Sequence, residues 1–189
     1  MKIIVITDKG NERSYRLMAD STMLASNKPF FIPDFAPEFV MHAALAVRID
    51  RLGKNIAPRF AHRYYQSVAA CTVVEAKGAC ENELDARCSA FDGAFMLGNA
   101  VPIADIDASK GVQVEVKAQI DDNDSTCTTP LVTRQQIDEL VAEASKYFTL
   151  KMGDYIVACT DDGNSHQLHI GEQLSGSVND TDSLIIRIK

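Results

Sequence analysis

A handful of side chains in this sequence could do chemistry, and each has a plainer reading beside it. His42 offers an imidazole, which can replace a carboxylate toward softer divalent metals, and Glu75 offers one oxygen. Two ligands rarely make a metal site, so both read first as ordinary satisfied side chains. His166 and His169 are three apart in a stretch with strand character, so they should face opposite sides, which reads against a metal pair. Cys71 or Cys88 beside a histidine would be a candidate nucleophile, but nothing in the sequence activates either thiol. Buried cysteines behaving as small hydrophobes are the simpler expectation. Ser89 lies in no nucleophile-elbow pattern. Asp121, Asp122, Asn123 and Asp124 lack the periodic loop and closing glutamate of a calcium site and read as a turn. Arg48, Arg51, Lys54, Arg59 and Arg63 could recognise an acidic ligand or subunit, with solvated charge around a turn as the alternative.

The elements that position these residues must come from one domain. At 189 residues, with 46% apolar and 24% charged side chains, the chain has ordinary globular composition and length for one sizeable core. A formal net charge of -7 argues against a nucleic-acid partner, which needs a basic face. Nothing approaches the roughly 18 apolar residues of a membrane span. Met1-Lys2 is followed by only Ile3-Ile4-Val5-Ile6 before polar residues, too short for the apolar core of an export signal. The five cysteines are odd in number and form no CxxC pair, so a zinc site and a disulfide framework are both unexpected. Reduced thiols in the cytoplasm fit that pattern.

Hydrophobic patterning places strands at Ile3 to Ile6, Val40 to Ile49, Val68 to Val74, Val112 to Ile120, Tyr155 to Cys159, His166 to Ile170 and Leu184 to Ile188. Residues 7 to 27 are polar and turn-rich and read as a loop. The prolines hold Lys28 to Phe35 extended. Phe60, Tyr64 and Val68 recur at helical spacing behind Pro58, which predicts a helix over 58–67. Thr133 and Gln136 form a capping box, and Ile137, Leu140, Val141, Ala144 and Phe148 share one face, which predicts a helix over 134–148. Strands dominate and two helices are credible. The fold class is α+β, with a rolled or sandwiched sheet.

Several stretches, taken together, resemble the fumarylacetoacetate hydrolase family in its short bacterial form. Phe148 to Ile156 is similar to that family's "FTLxxGDxI" ending, and Lys28 to Phe35 to its "KP" strand. Arg51 to Ile56 and Ala57 to Tyr65 resemble the turn and helix that follow. Phe91-Asp92-Gly93 resembles "SFDG", and Gly171 to Gly176 resembles the "GDxLxG" turn. The likeness covers about residues 27 to 188, so residues 1–189 are expected to be one such domain, with a shortened N-terminal part over 1–27.

The resemblance implies a β-rich roll of mixed sheets, usually dimeric, that cleaves or rearranges β-dicarbonyl acids. It also implies Mg²⁺ or Mn²⁺ held by an E-x-E pair and an aspartate on the next strand, with a lysine nearby. Aligned on Leu45-Ala46-Val47, the E-x-E positions hold His42 and Ala44; the aspartate position holds Val73 and the lysine position Ser89. The family's N-terminal catalytic histidine has no counterpart. In its "TGTPxG" loop, Thr160 and Gly163 are kept while Cys159 and Asp161 replace a glycine and a proline. The expectation is therefore a degenerate member without a metal cofactor. It would bind a small acidic metabolite through His42, Glu75, Ser89, Asp92 and Thr160, as a homodimer or alongside an active relative. The alternative is an active hydrolase, decarboxylase or isomerase with a metal-free site around His42, Glu75, Asp92 and Thr160.

Overall fold

The computed structural model describes residues 1–9, 12–82, 85–107, 110–120, 123–160 and 165–189. The chain opens with the antiparallel pair β1 (Lys2–Lys9) and β2 (Glu12–Ala19). A 3₁₀ turn, Asp20–Thr22, leads into β3 (Met23–Ala25), and β4 (Pro29–Phe30) follows. The long strands β5 (Glu38–Ile49) and β6 (Tyr65–Lys77) flank the single-turn helix α1 (Pro58–Ala61). Next come α2 (Ala86–Ser89), β7 (Phe95–Leu97), β8 (Val101–Pro102), β9 (Val114–Ile120) and β10 (Asn123–Thr128). Helix α3 (Arg134–Tyr147) precedes β11 (Tyr155–Thr160), β12 (Ser165–Gln167), β13 (Gln173–Val178) and β14 (Thr181–Ile188).

Two sheets result. The first runs β2-β1-β11-β5-β6-β7-β3, with β12 on β5 and β8 on β6; the second runs β10-β9-β13-β14-β4. The ends of the first path, β2 and β3, are joined only by Asp20–Thr22. Three residues reach about 10 Å at most, so the first sheet curls until its edges approach each other, an incomplete barrel. Strand alternation then splits its side chains into two populations. Ile3, Val5, Met18, Ala44, Ala46, Cys71, Val73 and Phe95 fill the barrel interior. Ile4, Ile6, Leu45, Val47, Val68 and Val74 face outward, into a larger core with Val114, Val116, Leu174 and Ile186 of the second sheet and Ile137 and Val141 of α3. The capping box stands as expected: Thr133 Oγ1 accepts from Gln136 N at 3.3 Å, and Gln136 Oε1 accepts from Thr133 N at 2.7 Å.

The α+β, β-rich class holds, and four local expectations are corrected. Residues 7 to 27 are largely strand rather than loop, because β2 pairs along the whole of β1 and β3 pairs with β7. The helix expected over 58–67 ends at Ala61; Tyr65 instead pairs with Ile49 of β5, where burial of a large side chain on the sheet outweighs helical spacing. Strands β10 and β13 had not been expected at all; the run 121–124 lies partly outside the described residues, with Asn123 opening β10. Finally, Cys80 and Cys88, with Cα atoms 6.3 Å apart, are joined by a disulfide, so the thiols are not all reduced.

Candidate functional site

His42, Ala44 and Val73 meet in the barrel interior, on the facing strands β5 and β6. In the β5–β6 register His42 stands opposite Val73, and Val40 opposite Glu75. Ala44 is 0% and Val73 1% exposed, both in the packed apolar interior. The polar side chains gather beside them. Glu75 accepts from Lys77 Nζ at 2.9 Å and from Arg16 Nη1 at 3.2 Å, and His42 Nε2 lies 3.8 Å away. Lys77 is two residues beyond Glu75 and shares its face of β6. Arg16 sits opposite Val5 in the β1–β2 register and so points inward as Val5 does. Burial works to raise the Glu75 carboxyl; the Lys77 hydrogen bond, then the charges of Lys77, Arg16 and His42, outweigh it and hold the group below its ordinary range. Arg16 Nε is buried and has no hydrogen-bond acceptor among the described residues. Arg16 and Lys77 went unnoticed in the sequence, where nothing marks a lone arginine between Tyr15 and Leu17 as inward-facing.

The other expected site residues come from other elements. Ser89 is buried at the end of α2 and donates its hydroxyl to the Asp85 carbonyl at 3.0 Å. Asp92 is exposed in the turn before β7. Thr160 has the parity of Ile156 and Ala158 and faces the opposite side of the sheet from His42. It lines a separate cleft of about 380 Å³ with Asp8, Arg13, Gln136 and Glu139. Asp161 and Gly163 lie outside the described residues. Cys71 donates to the Ala44 carbonyl at 3.2 Å, and burial, then nearby Cys159, hold its thiol far above the ordinary range, which suits a small hydrophobe.

The reading of His166 and His169 is corrected. Strand β12 ends at Gln167, and the chain turns through Gly171 at φ +99°, a backbone shape that favours glycine. Alternation therefore stops before His169. His166 Nε2 and His169 Nδ1 each lie 3.0 Å from Glu172 Oε1. The two rings converge instead of facing apart.

The motifs that carried the resemblance serve the scaffold. Asp154 is buried and accepts from Lys2 N at 3.0 Å, from Lys151 N at 2.8 Å and from the Lys2 ammonium, tying β1 to the turn before β11. Gly93 has φ +87°, and a Cβ there would meet the Phe30 ring at 2.7 Å.

Fold and motif agree with direct comparison. The chain matches the family model for the fumarylacetoacetate hydrolase C-terminal domain over residues 9–189, and it belongs to that family. Its fold is that of fumarylpyruvate hydrolase from Pseudomonas aeruginosa, solved with Mn²⁺ and pyruvate: TM-score 0.76, 14% identity, 100% of this chain and 89% of that one. It is also similar to 5-carboxymethyl-2-hydroxymuconate delta-isomerase from Mycobacterium smegmatis: TM-score 0.78, 19% identity, 99% of this chain and 78% of that one. A third likeness is 2-hydroxyhepta-2,4-diene-1,7-dioate isomerase from Mycobacterium marinum: TM-score 0.79, 17% identity, 99% and 73%. No curated protein matches in sequence. No helix among the described residues is long and apolar enough to cross a membrane.

A hard divalent cation needs several oxygen ligands. The interior offers the methyl groups of Ala44 and Val73, and Glu75 already carries a guanidinium and an ammonium. These residues do not fit Mg²⁺ or Mn²⁺.

Proposed function

We propose that this chain is a family member that keeps the scaffold without the carboxylate metal site and acts by binding a small carboxylic acid. The observation that carries this reading is the barrel mouth: one carboxylate already neutralised by Arg16 and Lys77, above an interior closed by Ala44 and Val73. The Arg16 Nε–H is a donor lacking an acceptor, and an unmade buried hydrogen bond is costly. Pyruvate, present in the Pseudomonas hydrolase structure, is the natural probe. Thr160 faces the other side of the sheet from His42, which counts against the metal-free enzyme reading.

Calorimetric titration tests the proposal: pyruvate should bind, Arg16→Met should weaken it at least tenfold, and Mg²⁺ should give no heat. Stoichiometric Mg²⁺ binding that is lost in Glu75→Gln would overturn it. The assembly we propose is a two-fold dimer through the extended segment before β5, or the same contact with an active relative. Phe31 is 66% exposed and Phe35 45% exposed, with Phe35 stacked edge-on against Phe39 and Phe91. A monomeric mass by light scattering at micromolar concentration would count against it. The cytoplasm is the compartment we propose.

A further inference from the structure

At the junction of the two sheets, the chain leaves β12 and enters β13 through a short turn. In that turn the sequence reads His166-Gln-Leu-His169-Ile-Gly-Glu172, with three potential ligands at intervals of three. Strand β12 pairs with β5, so His166 is fixed opposite Met41 on the outward face of the barrel sheet. Glu172 is anchored from the second sheet, since its carbonyl accepts from Ile188 N at 2.8 Å. Its carboxylate is oriented by the His169 amide, which donates to Oε2 at 3.1 Å and leaves Oε1 toward the two rings. The ligand atoms of the three side chains all lie within 4.8 Å of one another.

Glu172 is 2% exposed, yet among the described residues its ion-pair partners are the two imidazoles alone, with no lysine or arginine. A buried carboxylate without a permanent cation is unfavourable. We propose that His166, His169 and Glu172 form a binding site for a borderline-soft divalent cation of the zinc class, separate from the family's carboxylate site. Two imidazoles and a carboxylate are a donor set that zinc takes with a fourth position left to water. Tetrahedral bonds of about 2.0–2.1 Å place ligand atoms about 3.4 Å apart. The observed 3.0 Å contacts to Oε1 open to that spacing by a few tenths of an ångström, and the two ring nitrogens, within 4.8 Å of each other, settle to it by side-chain rotation. His169 is 55% exposed, so its side of the cluster faces solvent and water can complete the shell. A bound ion would clip the end of β12 to the start of β13, holding the two sheets together.

The test uses the full chain, purified, stripped with chelator and titrated with Zn²⁺ by calorimetry. Co²⁺ serves as a spectroscopic stand-in. The expected result is one equivalent of Zn²⁺, a tetrahedral Co²⁺ visible spectrum without thiolate charge-transfer bands, and a higher melting temperature with metal. His169→Ala, a half-exposed position that should leave the apo fold intact, should weaken binding at least about tenfold. Glu172→Gln should weaken it further. His42→Ala should leave it unchanged. No heat and no Co²⁺ spectrum with the parent would overturn the proposal and leave a hydrogen-bonded trio only. Binding unchanged in His169→Ala, or lost in His42→Ala, would overturn it equally by placing the ion elsewhere. None of these outcomes bears on the Mg²⁺ and pyruvate titrations at the barrel mouth.

Discussion

Two places in this molecule set a glutamate among histidines, and they are built to opposite ends. At the barrel mouth Glu75 lies near His42 but is bonded to Arg16 and Lys77, whose charges are permanent near neutral pH. At the sheet junction Glu172 is more deeply buried, yet among the described residues its ion-pair partners are His166 and His169. The first carboxylate is already compensated, and its surroundings repel a further cation. The second has two imidazoles for company and, among the described residues, no lysine or arginine. Residue types alone look alike at the two places; the neighbours contributed by distant strands decide which one can hold a metal.

The severest way to break this contrast is to rebuild the family site. His42→Glu, Ala44→Glu and Val73→Asp together put three carboxylates where the interior is now apolar. Without metal the melting temperature should fall by more than about 10 °C, since buried like charges cost several kcal/mol. Millimolar Mg²⁺ should recover part of the loss by neutralising them, while an acylpyruvate cleavage assay stays silent because Ser89 supplies no ammonium. A well-folded triple variant indifferent to Mg²⁺ would show that these strands do not hold the family geometry.

A single change sharpens the contrast. Glu75→Ala leaves the Arg16 guanidinium largely buried and unpaired, at a cost of about 2–4 kcal/mol, less than a full burial penalty because Lys77 reaches solvent. Pairing it with Arg16→Met should return most of that loss, and a double-mutant cycle of chemical denaturation reads the coupling. Coupling near zero would mean that the barrel mouth is held by packing rather than by charge.

Asp154 offers a control away from both places. Burial works to raise its carboxyl, but the Lys2 and Lys151 hydrogen bonds and the Lys2 charge hold it below the ordinary aspartate value. A group depressed in the folded state contributes stability above its unfolded pKa, which is lost as pH falls through the folded one. Stability should therefore decline as pH drops below about 4, and Asp154→Asn should flatten that slope while costing about 1–3 kcal/mol at pH 7. Melts across the acid range check it. The smallest effect belongs to Thr133→Ala, which removes the hydroxyl of the α3 capping box and should cost about 1 kcal/mol, or 2–4 °C of melting temperature. Neither change should alter Zn²⁺ or pyruvate binding.

What could be read from residues alone was whatever depends on near neighbours in sequence. Thr133 and Gln136 announce the start of α3 because both ends of the capping interaction lie within one turn. The alternation of Val114, Val116 and Ala118 announces β9 because each side chain meets the same core. The family motifs were legible for the same reason: Asp154 and Gly93 answer local backbone needs, a turn to be tied and a positive φ. The apolar character of positions 44 and 73 was also open to view. Strand β2 was not. It carries Arg16 inward, and a charge at a core-facing position hides the alternation; its compensation by Glu75 comes from 59 residues away. The convergence of His166 and His169 was hidden because alternation holds only while a strand continues, and this one stops at Gln167. Nor could spacing reveal that Cys80 and Cys88 meet, or that Thr160 falls behind the sheet that bears His42. Local chemistry sets the elements. The burial and charge of a side chain depend on which strands close around it, and those arrive from the rest of the chain.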